Sequence, residues 1–140
     1  MIELIEAPAK LYRVGRREDW RGLWYDGEAR PVNTIYTLDG AKAADLPMGP
    51  HPYFRAFKSR WLSVTDSLEG LCNWFSVKDC VQLINMNYEL LKVSVERYAR
   101  FHFPERGYSH EVYRPDDCVR IRRMDFHAWV RSRVTEKEAA

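Results

Sequence analysis

The sequence predicts one domain of the α+β class, in which antiparallel strands and helices occupy separate stretches of the chain. Its 140 residues match the size of a single domain. Hydrophobic residues make up 46% of the chain and aromatic residues 14%, which is enough apolar surface for a packed core. Segments of alternating polarity flank a central stretch with two helix-start signatures. The domain is expected to span residues 1–130, with a charged tail over 131–140 that is frayed or disordered.

Charge and cysteine usage exclude several function classes. The chain has 22 basic and 20 acidic residues, a net charge of +2, which is too balanced for nucleic-acid or membrane-surface binding by bulk electrostatics. Cys72, Cys80 and Cys118 lack the spacing of a zinc site or a disulfide framework, and the four histidines are scattered, so we expect reduced thiols and no metal. The first residues do not form an export signal, and no apolar run is long enough to span a membrane. These features predict a cytoplasmic protein, located in the host cytoplasm if it is encoded by a phage.

The first half of the chain is expected to be mostly irregular. Leu11–Val14 is a short apolar run that predicts a strand. The following stretch, to about Arg60, is rich in glycine and proline, and only Asn33–Leu38 favours a further strand. A loop-rich stretch of this length is usually functional or forms a lid.

Regular structure resumes with Trp61–Thr65, which predicts a strand. Asp66 with Glu69 three residues later forms a capping-box signature, so a helix is expected through Phe75.

Ser76 and Asp79 repeat the capping-box signature and predict a second helix that ends near Asn85 and Asn87. Apolar and polar residues then alternate over Tyr88–Tyr98, the pattern of a half-buried strand.

The C-terminal half is expected to be rich in strands. Arg97–Gly107 contains a proline and a glycine and predicts a loop. Tyr108–Arg114 and Cys118–Met124 flank the turn at 115–117 and predict a β-hairpin, with Val119 facing inward.

Three strand segments carry polar side chains that call for an explanation: residues 11–13, 61–65 and 109–112. Burying Arg13 or Glu111 in a strand costs free energy unless the charge is paired or meets a ligand. The alternative is that these two side chains face solvent or pair with each other.

In their order and spacing, these segments resemble the ADP-ribosyltransferase family, specifically its Arg-Ser-Glu class and the small mono-ADP-ribosyltransferases of phage and bacteria. Tyr12-Arg13 matches the family's first strand, and Ser63-Val64-Thr65 before a helix matches its second motif. Glu111, followed by a turn and one more strand, matches its third motif. The resemblance covers residues 11–125 and implies a split β-sheet sandwich with a few helices that binds NAD between two small sheets.

The resemblance also implies a role for each residue. Glu111 would stabilise the positive charge that develops on the ribose when the bond to nicotinamide breaks. Arg13 would hold a phosphate or the ribose of NAD, while Ser63, and secondarily Thr65, would orient the carboxylate. Trp20 either stacks on the adenine or packs the long loop onto the sheet. The residues expected to contact NAD are Tyr12, Arg13, Trp20, Ser63 and Thr65.

Ser109 argues against an arginine acceptor, because many arginine-modifying members of the family have a second glutamate at this position, and others have a glutamine. Ser109 shares a strand face with Glu111 while His110 points to the other face, and a serine cannot deprotonate a guanidinium. Phe103 and Tyr108, in and beside the predicted loop, are interpreted either as acceptor contacts or as core aromatics.

Four functions follow from these residues. The first is mono-ADP-ribosyl transfer from NAD to a macromolecule, expected to be a protein rather than a nucleic acid. The second is NAD glycohydrolysis, in which water replaces the acceptor. The third is a catalytically silent module that binds a protein partner. The last is a nucleic-acid-binding module using the basic strand that contains Arg120, Arg122 and Arg123, a pattern also typical of a solvated edge strand.

Overall fold

The structure is a computed structural model that describes residues 2–16, 38, 62–103 and 108–139. Over these residues the chain is α+β, with antiparallel strands in two sheets and three α-helices, as the sequence predicts. None of the helices in the described part is long and apolar enough to cross a membrane. The strands, in chain order, are β1 (Ile2–Ile5), β2 (Ala9–Gly15), β3 (Leu62–Val64), β4 (Glu89–Val95), β5 (Tyr98–Phe103), β6 (Tyr108–Tyr113) and β7 (Cys118–Met124). The helices are α1 (Leu68–Cys72), α2 (Val77–Asn85) and α3 (Phe126–Ala139).

The strands divide between a four-stranded and a three-stranded sheet. The first sheet has the order β1-β5-β6-β3, and the second has the order β2-β4-β7. One pair of backbone hydrogen bonds links them, because the N–H groups of Tyr12 and Thr65 each donate to the other residue's carbonyl at 2.8 Å. Apolar side chains from both sheets form a common core, the inter-sheet core: Leu11, Leu62, Val64, Leu91, Val93, Val95 and Tyr113.

The helices cover the other face of the second sheet. Side chains alternate along β2 and β4, so Val14 and Leu90 point away from the inter-sheet core and pack against the helices. This second cluster, the helical core, is completed by Leu71, Phe75, Cys80, Leu83, Tyr88, Phe126 and Val130. The second sheet is therefore covered by apolar residues on both faces.

The alternating strand predicted over Tyr88–Tyr98 is confirmed as β4, but the loop predicted for Arg97–Gly107 is wrong over Tyr98–Phe103, and its remaining part, 104–107, lies outside the described residues. β5 covers Tyr98–Phe103 and pairs with both β1 and β6. Ala99 and Phe101 are buried, while Arg100 and His102 between them are part-exposed. Alternation of buried and part-exposed residues is typical of a strand, and here it predicts the structure better than the proline and glycine that follow it in the sequence.

The predicted hairpin is also wrong, although both of its strands exist. β6 pairs with β5 and β3 in the first sheet, whereas β7 pairs with β4 in the second. A 3₁₀ turn at Pro115–Asp117 carries the chain from one sheet to the other. The segment is therefore a crossover between sheets.

Val119 faces solvent with 65% exposure, contrary to the prediction. Arg120 pairs with Ser94 and Cys118 pairs with Val95, which leaves Val119 as an extra residue on β7. A bulge of this kind removes the residue from the regular alternation of faces.

The helix predictions are confirmed in part. The capping box of α2 forms as predicted: the Asp79 N–H donates to Ser76 Oγ at 3.0 Å, and the Ser76 N–H donates to Asp79 Oδ2 at 3.2 Å. For α1 the cap is Ser67 rather than Asp66, since the Gly70 N–H donates to Ser67 Oγ at 3.1 Å, and the helix ends at Cys72. α3 runs without a break across the expected start of the tail at residue 131.

Some predictions lie outside the described residues. They are the irregular stretch between the first two predicted strands, the residues before Leu38 in the strand Asn33–Leu38, and the side chain of Trp20. Leu38 itself is part-buried against the helical core.

Candidate functional site

The three polar segments singled out in the sequence meet where the two sheets join. Tyr12 on β2 pairs through its backbone with Thr65, the residue after β3. Val64 on β3 lies directly opposite Glu111 on β6. The pairing thus brings together three segments that lie about 50 residues apart along the chain. Arg13, the residue after Tyr12, lies at the same junction of the sheets.

Arg13 projects into the inter-sheet core. It lies opposite Leu91 in the β2–β4 pair, and only 4% of its surface is exposed. Its Nη1 donates to the hydroxyl of the buried Tyr113 at 3.4 Å, a long hydrogen bond. Burial raises the pKa of Tyr113, and the positive charge of Arg13 opposes that rise. The core between the sheets therefore contains a guanidinium held against a neutral phenol.

Tyr12 points to the other side of β2. Because side chains alternate along a strand, Tyr12 shares its face with Val14 and packs against the helical core. The two neighbouring residues expected to bind NAD therefore face different cores.

Glu111 lies on the same face of the first sheet as Val64 and Tyr113. Its carboxylate keeps 15% exposure, and its Oε2 lies 3.6 Å from Arg100 Nε on the adjacent β5. Burial raises the pKa of Glu111, as does the nearby charge of Asp66. The charge of Arg100 and hydrogen bonds from Arg100 and the Asp66 backbone oppose this rise. Glu111 is thus a shielded carboxylate at the edge of the inter-sheet core.

Ser63 and Thr65 are the hydroxyl residues of the segment 61–65, and the structure places their side chains differently. Ser63 is opposite Val112, so the register places its side chain on the face away from Glu111. The Thr65 hydroxyl donates to the Ser67 carbonyl at 2.6 Å, at the start of α1. Thr65 joins β2 to α1, and the role expected for Ser63, orienting Glu111, stays a prediction.

Ser109 is exposed and lies one pleat from Glu111 on the same face, as expected from the alternation of side chains. Its Oγ is 2.8 Å from His102 Nδ1, and His102 Nε2 is 3.3 Å from Glu3 Oε1 on β1. The same Glu3 oxygen lies 3.7 Å from Arg100 Nη1. These five residues form a continuous chain of polar contacts across three strands, which we call the polar row: Glu3, Arg100, His102, Ser109 and Glu111.

Sequence analysis missed three members of this row. Arg100 and His102 fall in the segment predicted as a loop, and Glu3 precedes the first predicted strand. The alternation of polar and apolar residues over Tyr98–Phe103 is the signal that could have revealed the first two. The backbones of Phe103 and Tyr108 pair with each other at the ends of β5 and β6.

His110 occupies the opposite face from Glu111 and Ser109. It is 4% exposed, and its ring stacks on Trp74 with 4.9 Å between centroids and 9° between planes. Burial lowers its pKa to about 3, so the imidazole is neutral at physiological pH. His110 supports the strand that holds Glu111.

Metal ligands are not grouped within the described ranges, where no cluster of three or more histidine, cysteine, aspartate or glutamate side chains is placed to hold an ion. Comparison of the chain with models of known protein families, with curated proteins and with solved structures finds no match in any of the three.

Proposed function

We propose that this chain is an NAD-dependent mono-ADP-ribosyltransferase with the split-sheet fold of that family, acting on a protein target. The observation that carries the proposal is the meeting of the three segments at the junction of the sheets. A resemblance drawn from order and spacing along the chain requires the segments to meet in space, and the meeting of their backbones supports the proposal.

The environment of Glu111 suits the chemistry of this reaction. Breaking the bond between nicotinamide and ribose builds positive charge on the sugar, and a fixed carboxylate stabilises that charge most where water is partly excluded. Glu111 is mostly shielded and sits beside Arg100, whose charge favours the ionised form. Its backbone is fixed on both sides, since β6 is an inner strand between β5 and β3.

Arg13 supplies the positive charge that a dinucleotide phosphate or its ribose would meet. It comes from the sheet opposite Glu111, and its partner Tyr113 lies one pleat from Glu111 on β6. NAD bound between the sheets would therefore have a guanidinium on one side and a carboxylate on the other. Of the residues expected to contact NAD, Arg13 is the one whose placement supports the assignment, since Tyr12 and Ser63 point to the other faces of their strands and Trp20 lies outside the described residues.

NAD glycohydrolysis is the second candidate, favoured by the exposure of Ser109. Because this residue beside Glu111 is open to solvent, water can reach the side of the site from which an acceptor would approach. The two activities use the same site and differ only in the acceptor.

Labelled NAD distinguishes the candidates. The full chain is incubated with NAD carrying label in the ADP-ribose portion, alone and with cell lysate, and nicotinamide release is measured in parallel. Label on lysate protein together with nicotinamide release is the expected result. Free ADP-ribose as the sole product would instead identify a glycohydrolase. If NAD is not consumed under either condition, the enzyme proposal is wrong, and that result favours the catalytically silent binding module.

A further inference from the structure

Glu3, His102 and Ser109 line up as an acid, an imidazole and a hydroxyl on three adjacent strands. His102 is the direct cross-strand partner of Ser109, and Glu3 sits on β1 on the far side of β5. The contacts are 2.8 Å from Ser109 Oγ to His102 Nδ1 and 3.3 Å from His102 Nε2 to Glu3 Oε1. A hydroxyl, a base and an orienting carboxylate in this order are the parts of a proton-transfer relay.

The partners determine which ring nitrogen of His102 carries the proton. An ionised carboxylate only accepts hydrogen bonds, so Nε2–H donates to Glu3. In the neutral imidazole Nδ1 is then unprotonated and accepts from the Ser109 hydroxyl. The chain of contacts is thus arranged to move a proton from Ser109 toward His102, with Glu3 next to the imidazolium that results.

The relay is connected to Glu111. Ser109 and Glu111 are one pleat apart on the same face of β6, and Glu3 also contacts Arg100, which lies 3.6 Å from Glu111. An acceptor held beside Ser109 would therefore approach the sugar carbon that Glu111 is proposed to stabilise.

We propose that Ser109, backed by His102 and Glu3, removes the proton from an acceptor hydroxyl, so that the group modified is a protein side-chain hydroxyl. This inference rests on the proposed transferase function and names its acceptor class. In the step, the bond between the ribose C1 and the nicotinamide nitrogen breaks, and nicotinamide leaves with the electron pair as a neutral molecule. The acceptor oxygen forms a bond to C1. Its proton passes to Ser109 Oγ as the original Ser109 proton passes to His102 Nδ1, so charge and atoms balance.

The choice of hydroxyl follows from which acceptors need a base. A carboxylate acceptor is already deprotonated, and a guanidinium is a cation that a second carboxylate binds best. A neutral hydroxyl must lose a proton as it attacks, and the relay provides the group that takes it. Ser109 is the residue that meets the acceptor, while His102 and Glu3 act through it: His102 takes the Ser109 proton, and Glu3 positions the imidazole ring.

The test compares His102→Ala and Glu3→Gln with His127→Ala, a matched control at an exposed histidine on α3. Label transfer to lysate protein and nicotinamide release are measured over a range of NAD concentrations. We expect His102→Ala to lower kcat about 100-fold, the usual contribution of a general base, with little change in KM for NAD. Glu3→Gln should lower kcat to a smaller extent, and His127→Ala should match the wild type.

Rescue of activity by added imidazole is a readout that a merely structural role of His102 would not produce. Imidazole should restore part of the activity of His102→Ala and leave the Glu111→Gln variant inactive, because it replaces only the missing base. Failure of imidazole to restore activity, or wild-type kcat in His102→Ala, overturns the relay.

Mass spectrometry of the labelled lysate protein identifies the linkage. ADP-ribose on serine, threonine or tyrosine oxygen supports the proposal, and ADP-ribose on arginine, a carboxylate or nucleic acid overturns it. These failures differ from failure of the proposed function, in which the wild type does not release nicotinamide from NAD at all.

Discussion

At the scale of single residues, β6 presents opposite chemistry on its two faces. Glu111 and Ser109 face the polar row, while His110 between them is buried against Trp74. No described residue hydrogen-bonds the buried Nε2 atom of His110. A neutral, stacked imidazole at this position links the stability of the strand to pH, because protonation would place an uncompensated charge in the core.

His110 predicts a loss of stability in acid. Its pKa is lowered by burial from about 6.5 to about 3, so the unfolded chain binds the proton more readily than the folded one. The contribution is fully present above pH 6.5 and is lost as the pH falls toward 3. This single proton lowers the free energy of unfolding by up to about 1.4 kcal/mol per pH unit. Urea unfolding of His110→Phe, which keeps an aromatic ring against Trp74, should show a weaker pH dependence between pH 6.5 and 4.5.

The exposed His127 provides the control for this prediction, and His127→Gln should follow the wild-type pH dependence. If His110→Phe loses stability with falling pH as steeply as the wild type, another group accounts for the acid sensitivity.

At the scale of elements, structure that depends on neighbouring residues could be predicted from the sequence, whereas the pairing of strands could not. The α2 capping box depends on Ser76 and Asp79 alone, and it forms as predicted. The alternation over 108–124 correctly indicates two strands but carries no information on which sheet each joins, since that depends on burial against distant residues. Val119 leaves the predicted face because a one-residue bulge, invisible in the pattern, shifts the register.

The packing of α1 on the sheet junction predicts the effect of Gly70→Ala. Alanine normally stabilises a helix relative to glycine by about 1 kcal/mol. At Gly70, however, an added Cβ would lie 2.9 Å from Thr65 Cβ and 3.0 Å from its Cγ2, so one element must shift. Overpacking of this kind costs about 1–3 kcal/mol, because Thr65 is held by its backbone pair with Tyr12. After the helix gain is subtracted, we expect a net destabilisation of up to about 2 kcal/mol, measured by urea unfolding.

The neighbouring Glu69→Ala is the matched control, because Glu69 is exposed on the same helix. It should change the free energy of unfolding by no more than about 0.5 kcal/mol. A Gly70→Ala variant more stable than the wild type would show that α1 is not closely packed on Thr65.

At the scale of the whole molecule, the candidate site exists because the two sheets, within the described residues, share the inter-sheet core and are linked by the backbone pair of Tyr12 and Thr65. Sequence order was enough to predict that the segments carrying Arg13, Thr65 and Glu111 belong together. It did not predict that Tyr12 and Ser63 would face away from them, since the face depends on the register of each strand. The polar row was missed for a related reason: Glu3 and His102 become neighbours only through the pairing of β1 with β5.

The placement of Arg13 predicts a specific effect on NAD binding. A ligand that binds only the folded state raises the melting temperature by an amount that grows with the logarithm of its concentration over its Kd, so NAD should raise the Tm of the wild type. The rise should be smaller in Arg13→Ala than in Arg120→Ala, an exposed arginine on β7 that serves as control. Each rise is taken from that variant's own Tm without NAD, because Arg13→Ala also removes the buried contact with Tyr113. Equal rises in the two variants would make Arg13 a structural residue only.

The central claim is that Glu111 drives cleavage of NAD. Its most direct test compares the rate of nicotinamide release by Glu111→Gln with the rate by the control variant Glu69→Gln. The glutamine keeps the shape of the side chain and removes the charge that faces the ribosyl cation. Glu111→Gln should therefore retain the rise in Tm with NAD and lose about 100-fold or more in kcat. Glu69→Gln should release nicotinamide at the wild-type rate. Wild-type turnover by Glu111→Gln would contradict the account and remove this carboxylate from the chemistry.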